Sequence, residues 1–326
     1  MVDILIAALS SRAHIAPLLT VAADQVERGN AVTLLTGIAQ PHEVRAIGAR
    51  PAEPAEVRNR NQFDAILADE GFMGLPLPSG GPALLYYTPT LDAALRCPGG
   101  ALADRLIVPT VPPFEYLRRD LPANIRFVGA VHARPSGDFI PPPWWAELDA
   151  PRPVVHVTGS TRLIVSTLDA LDYVTVVVTG GTPARSRIPA NAFVADHIRP
   201  EMLLPKVDVM VTDAGYGAIQ RAVASGVPLV VASSAERGAW VAWAGVGVDL
   251  GACTPPAAAI ADAVHQILRD QRYLRRAREV EVAFAQRDGV AEIAAIIDEV
   301  TRPRKRRHAC VPLWNTGMTS DSTCET

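Results

Sequence analysis

Three groups of residues in this chain have the types and spacing for chemistry. The first is the turn Thr212-Asp213-Ala214-Gly215-Tyr216-Gly217, whose glycines let a ligand approach the backbone closely. It follows the β-branched apolar run Val207–Val211 and precedes Ala218–Ser225, which reads as a short helix stopped by Gly226 and Pro228. Strand, glycine turn and helix in that order aim free N–H groups and the positive end of a helix dipole at a phosphate. The second group is Gly159-Ser160-Thr161, after the run Val154–Val157. Its amides and hydroxyls suit a diphosphate, although a G-S-T turn alone is weak evidence. The third is two separate candidates, His14 and Asp69. His14 opens a helix after the first strand, where a ring of pKa near 6.5 can accept a proton and a helix N-terminus keeps it neutral. Asp69 ends the strand Ala65–Ala68, with Glu70 as the neighbouring alternative. The plain readings are a polar helix-start residue at 14 and a turn-capping acid at 69.

These groups need parallel strands to hold them. Asp3–Leu9, Ala31–Leu35, Ala65–Ala68, Ala83–Tyr87 and Ile125–Val128 read as buried strands. His14–Arg28 reads as a helix with Ile15, Leu18, Leu19, Ala22 and Val26 on one face and Gly29 as its stop. Pro17 fits only in its first turn. This βαβ opening predicts a parallel sheet with right-handed crossovers. The stretch 37–62 is polar and weakly periodic, and Arg96–Gly100 reads as a turn. Pro135–Pro143 reads as a proline-rich linker, followed by an apolar docking turn at Trp144, Trp145 and Leu148. Beyond it come strands at Val154–Val157, Val174–Val178, Val207–Val211, after Pro228, and Val246–Leu250. Helices are expected from about Leu163 to Leu171 and at Ala257–Arg269, Tyr273–Gln286 and Val290–Val300. The fold class is α/β, two Rossmann-like parallel-sheet domains facing each other across a cleft. Their expected extents are 1–134 and 151–301, with a linker at 135–150.

Composition narrows the partners. A chain of 326 residues with 49% hydrophobic content can bury two cores. A net charge of −3 gives no electrostatic case for nucleic acid. No apolar run approaches the roughly 18 residues of a membrane span, and the acid-bearing start Met1-Val2-Asp3 is unlike a signal peptide. Cys97, Cys253, Cys310 and Cys324 lack C-x-x-C spacing, which fits a reduced cytoplasm and argues against a zinc site. His42, His132, His156, His197 and His265 share no ligand spacing and read as structural or exposed. Residues 302–326 open with Arg302, Arg304, Lys305, Arg306 and Arg307 and then turn polar. A solvated, disordered tail is the plainer reading, and weak contact with an anionic membrane surface is the other.

The wording of the 203–231 segment resembles the nucleotide-sugar segment of the UDP-glycosyltransferase superfamily (glycosyltransferase family 1, GT-B fold), in particular its actinobacterial macrolide-type branch. That segment typically reads LLP-x-VD-x-x-V-x-H-G-G-x-G-T and then GVPLVV. Leu203-Leu204-Pro205, Val207-Asp208, Gly215, Gly217 and Gly226-Val227-Pro228 match it. Further similar patches are 5–36, 63–77, 114–160, 203–250 and 254–300. The resemblance implies inverting, metal-independent transfer of a hexose from a UDP- or TDP-type nucleotide diphosphate sugar to a hydroxyl of a lipophilic small molecule, without a cofactor. It implies that His14 takes the acceptor proton and that Asp69 orients and supports it. It places the donor on Gly159, Ser160, Thr161, Asp213, Gly215, Tyr216, Gly217 and Ala218. Glu236 and Arg237 fall near the pair that reads the sugar hydroxyls, although the match there needs a gap.

The chain also departs from the pattern. Asp213 stands where the family usually has His, and Ala214 where it has Gly. At about 5 Å and an effective dielectric of about 20, Asp213 and one phosphate charge repel by roughly 3 kcal/mol. Asp213 could instead cap the following helix. Three outcomes stay open: a weakly bound donor, compensation by Arg237 or Arg199, or a lapsed site. The first domain is also shorter than family members usually have, before Phe63 and between Cys97 and Ile107, where relatives build the acceptor pocket. The alternatives to a transferase are a non-catalytic or decayed GT-B relative and a GT-B-like nucleotide-sugar epimerase.

Overall fold

The computed structural model describes residues 1–8, 12–37, 41–59, 63–69, 83–87, 91, 95, 103–116, 118–132, 138–180, 188–213, 215–233 and 236–302. For 12–14, 58–59, 83–84, 86–87 and 236 it describes the backbone only. Glu70, Ala214, the Arg96–Gly100 turn, part of the proline-rich linker and the tail from 303 onward lie outside the described residues.

Two parallel sheets carry the fold. The first has strands β1 (Asp3–Ala7), β2 (Ala31–Leu35), β3 (Arg50–Ala52), β4 (Ala65–Asp69), β5 (Ala83–Tyr87), β6 (Arg105–Val108) and β7 (Ile125–Phe127). Their order is β3-β2-β1-β4-β5-β6-β7. Its described helices are α1 (Arg12–Glu27), α2 (Pro41–Ala46) and α3 (Pro54–Asn59). The second sheet has β8 (Val154–Thr158), β9 (Thr175–Thr179), β10 (Ala192–Ala195), β11 (Val209–Thr212), β12 (Leu229–Val231) and β13 (Gly247–Asp249). Their order is β10-β9-β8-β11-β12-β13. The remaining helices are α4 (Thr161–Ala170), α5 (Pro200–Leu203), α6 (Tyr216–Ala224), α7 (Glu236–Trp243), α8 (Ala257–Arg269), α9 (Gln271–Ala285) and α10 (Gly289–Thr301). In each sheet the sequence order of the strands reverses once, between β1 and β4 and between β8 and β11, with all strands parallel. Such reversals open a crevice at the carboxyl ends of the strands, where α/β proteins bind ligands.

The central strands are buried on both faces, as their unbroken Val, Ile and Leu runs require. Ile4, Ile6, Leu34 and Leu67 meet Ile15, Leu18 and Val21 of α1 in one core. Val155, Val157, Val176 and Val178 meet Leu163, Ile164 and Leu168 of α4 and Ile260, Val264 and Ile267 of α8 in another. Asp208 ties the start of β11 to β8 by accepting the Val154 amide at 2.8 Å. α10 follows the second sheet in sequence but packs on the first, placing Ile293, Ile296 and Ile297 against Ile4 and Leu18.

Some expectations need correction. Pro17 lies inside α1, beyond its first turn. It can donate no N–H to the Ala13 carbonyl, a loss confined to the start of the helix. The stretch 37–62 holds α2, β3 and α3 rather than irregular chain, anchored by the buried Val44 and Val57. β6, β10 and α7 also went unread. The helix expected at Ala218–Ser225 starts earlier, at Tyr216.

A third core joins the two sheets. Phe114 of the 3-10 turn Pro112–Phe114 is fully buried, its ring centre 4.1 Å from Trp240 and 6.3 Å from Phe284. Trp240 Nε1 donates to the Phe114 carbonyl at 2.6 Å, Arg276 donates to the Pro113 carbonyl at 2.6 Å, and Gln220 donates to the Pro109 carbonyl. Among the described residues no helix is long and apolar enough to cross a membrane.

Candidate functional site

The sequence-picked groups fall at the two reversals. β1 pairs with β4 in the register Ala7↔Ala68. The start of α1, with the backbone of His14, and Asp69 at the end of β4 therefore leave the same edge of adjacent strands. The Asp69 side chain is buried, 1% exposed. β8 pairs with β11 in the register Thr212↔Thr158, which sets the turn at Gly159–Thr161 beside the turn at Asp213–Gly217. His14 with Asp69 thus belong to the first sheet, and the phosphate-type turns to the second.

Each turn of the second sheet has a local reason. Gly159 takes φ +143°, a conformation that L side chains rarely adopt. Ser160 then caps α4, its Oγ accepting the Leu163 amide at 3.4 Å. Asp213 does not cap α6: the N-cap is Gly215, with no side-chain cap hydrogen bond. Its two carboxylate oxygens instead accept the Ser160 amide at 3.0 and 3.1 Å. Tyr216 stacks on Trp240 at 5.3 Å and is buried in the core between the sheets. Arg199 is held by Glu201 at 2.9 Å, and Arg237 lies at the start of α7. Neither ion-pairs with Asp213 among the described residues.

A cavity of about 740 Å³ opens beside these turns. Thr158, Thr179 and Gly180 line it from the carboxyl ends of β8 and β9, Asp196 and His197 from the segment after β10, and Ala218 and Arg221 from α6. His132, His156 and His197 all line it. Spacing along the chain could not connect these three. The usable signal was that His156 sits within a buried strand and the other two just past strand ends. The His156 ring is 7% exposed, and its Nε2 lies 2.8 Å from Thr179 Oγ1. Burial pushes its pKa down to about 4. His132 also titrates below the ordinary histidine value, through burial first and the charge of Arg221 second, with Glu201 opposing. The Arg221 guanidinium is lowered by burial, again opposed by Glu201. The cavity therefore offers imidazoles, hydroxyls, the guanidinium groups of Arg199 and Arg221 and the carboxylates of Asp196 and Glu201, a mixture suited to a polar heterocycle and its sugar.

The His156 shift has a consequence for stability. An unfolded histidine titrates near pH 6.5, so between about pH 6.5 and 4 the unfolded chain binds the extra proton. Stability is complete above pH 6.5 and falls as pH drops through 4, by on the order of 3 kcal/mol from this group. His132 acts in the same direction. Urea unfolding at pH 7, 5.5 and 4.5 should show the decline, and His156→Gln should flatten it. A slope unchanged by that substitution would rule the group out.

No family model matches the chain. It is 41% identical over 208 residues to the 4'-demethylrebeccamycin synthase of Lentzea aerocolonigenes, covering 60% of this chain and 49% of that protein. It is 33% identical over 233 residues to UDP-glycosyltransferase 2 of Phaeomoniella chlamydospora, covering 64% and 50%. The chain thus spans about half the length of these curated relatives. The fold resembles the solved calicheamicin glycosyltransferase CalG4, with a TM-score of 0.74 at 18% identity over 92% of this chain and 98% of that one. Paired Rossmann-order sheets and the likeness to that structure show a GT-B fold, and the sequence is similar to these two relatives over 60% and 64% of its length.

Proposed function

We propose that the chain transfers a hexose from a nucleotide diphosphate sugar of UDP or TDP type to a hydroxyl of a lipophilic small molecule. The observation that carries this reading is the pair of turns at Gly159–Thr161 and Asp213–Gly217. They are set side by side by the Thr212↔Thr158 register, and the residues that flank them, Thr158 and Ala218, line the 740 Å³ cavity. In this reading residues 1–134 form the acceptor side, 135–150 the linker, 151–301 the donor side and 302–326 a tail. The cavity takes the nucleoside, and the turns with Ala218 face the diphosphate. Glu236 and Arg237, at the start of α7, face the sugar.

The reaction needs one base and one leaving group. The acceptor oxygen attacks the anomeric carbon opposite the phosphate, the C–O bond to the diphosphate breaks, and configuration inverts. His14 takes the hydroxyl proton, and Asp69 supports the imidazolium. Backbone amides at helix N-termini receive the charge that builds on the leaving diphosphate. The scattered cysteines support a cytoplasmic setting.

The test is donor hydrolysis across a panel of UDP- and TDP-sugars, with melting temperature followed in parallel. A bound donor at a hundred times its Kd stabilises by about 2.7 kcal/mol and raises the melting temperature. Neither hydrolysis nor a shift with any donor would reject the reading. A second reading, a relative that binds nucleotide without turnover, is favoured by the Asp213–Ser160 contact and expects a thermal shift without hydrolysis.

A further inference from the structure

The turn after β8 already holds a negative charge. Ser160 heads the ten-residue helix α4, and its amide points at a position built for an anion. Both Asp213 oxygens accept that amide, at 3.0 and 3.1 Å, from the turn on the adjacent strand. Gly159 makes the room, since a Cβ there would lie 1.9 Å from Asp213 Oδ1. A second observation comes from the adjoining cavity. His156 is 7% exposed, its Nδ1 has no hydrogen-bond partner among the described residues, and its ring lines the space that Thr158 also lines. Buried polar atoms are usually paired, so the unpartnered Nδ1 points to a ligand in this cavity, which reaches the foot of the turn at Thr158.

We propose that Asp213 is an internal competitor for the donor's phosphates: its carboxylate occupies the Ser160 amide and must leave before a diphosphate can bind there. This rests on the reading of the second sheet as the donor side. The competition is both steric and electrostatic. One N–H cannot serve two anions, and a carboxylate left about 5 Å from a phosphate weakens binding by up to about a hundredfold. A nucleoside without phosphates never meets Asp213. The signature is therefore a site that gains little from the diphosphate, holding uridine or thymidine nearly as well as UDP or TDP.

Calorimetry with these four ligands on wild type, Asp213→Gly and Asp213→Asn tests the proposal. Glycine frees the amide and removes the charge. Asparagine removes the charge but keeps an acceptor over Ser160. UDP or TDP should bind at least about tenfold more tightly to Asp213→Gly than to wild type, with a smaller gain for Asp213→Asn and nucleoside affinity unchanged. Should the glycine variant fail to fold, the diphosphate-only gain in Asp213→Asn carries the same expectation. Equal or weaker UDP and TDP binding in the folded variants, with nucleotide still bound by wild type, overturns the proposal and leaves the donor site standing. Tight wild-type binding that requires Mg²⁺ also overturns it, because Asp213 would then be holding a cation. Absence of nucleotide and nucleoside binding in every variant removes the donor-side reading, and the proposal with it.

Discussion

Replacing His14 by alanine should lower transfer at least about a hundredfold while leaving UDP or TDP affinity within about twofold. The split follows from the layout. The start of α1 follows a strand of the first sheet, and the turns proposed to face the donor follow strands of the second. A base that takes the acceptor proton acts in the transition state, so its loss appears in kcat rather than in donor binding. Asp69→Asn should act in the same direction with a smaller loss, because it alters the support and leaves the ring. The measurement is steady-state transfer with parallel calorimetry of the nucleotide. Unchanged turnover in His14→Ala would remove the residue from the mechanism. A matched loss of turnover and nucleotide affinity would mean damage to the fold.

The second large effect concerns stability. Phe114→Ala should cost about 3–5 kcal/mol, the range for deleting a buried aromatic ring, which includes the cavity left behind. The edge contact with Phe284 and the tilted contact with Trp240 add about 0.5–1.5 kcal/mol per aromatic pair beyond area burial. The Trp240 hydrogen bond goes to the Phe114 carbonyl and survives the substitution in principle. The ring is thus isolated from the polar contact as a cause. Denaturant unfolding monitored by tryptophan fluorescence measures the loss. A cost under about 1 kcal/mol would show that the polar contacts from Trp240, Gln220 and Arg276 hold the sheets together without the ring.

Much of this architecture is legible in the sequence because the central strands are buried on both faces. Val154–Val157 and Ala65–Ala68 can only be strands of a covered parallel sheet, and both are. The edges are harder to read. Arg50-Pro51-Ala52 forms β3 at the sheet margin, where a proline, which would count against a central strand, is tolerated. β10 is also an edge strand and only four residues long. At the site, the glycine turns are readable because local backbone demands write them into the chain. The contact of Asp213 with Ser160 joins positions 53 apart, and the shared cavity of His132, His156 and His197 joins three elements. Such pairings depend on register and strand order, and no local pattern carries them. Asp213 looked like a helix cap because acids often are. Gly215 took that position, which left the carboxylate free to cross to the neighbouring turn.

The return of α10 to the first sheet also sets an order of assembly. A ribosome delivers Ile4, Leu18 and Leu67 early, yet Ile293, Ile296 and Ile297, which complete their core, arrive more than 200 residues later. Domains that close on their own segment can fold while the chain is still growing. Here the first sheet carries an uncovered apolar stripe throughout synthesis of the second. The Arg287 contacts with the Phe127 carbonyl and with Glu292 at 2.5 Å lock the returning helix only at the end. The half made first is therefore the half finished last, and a chaperone that shields apolar surface would meet it during that interval.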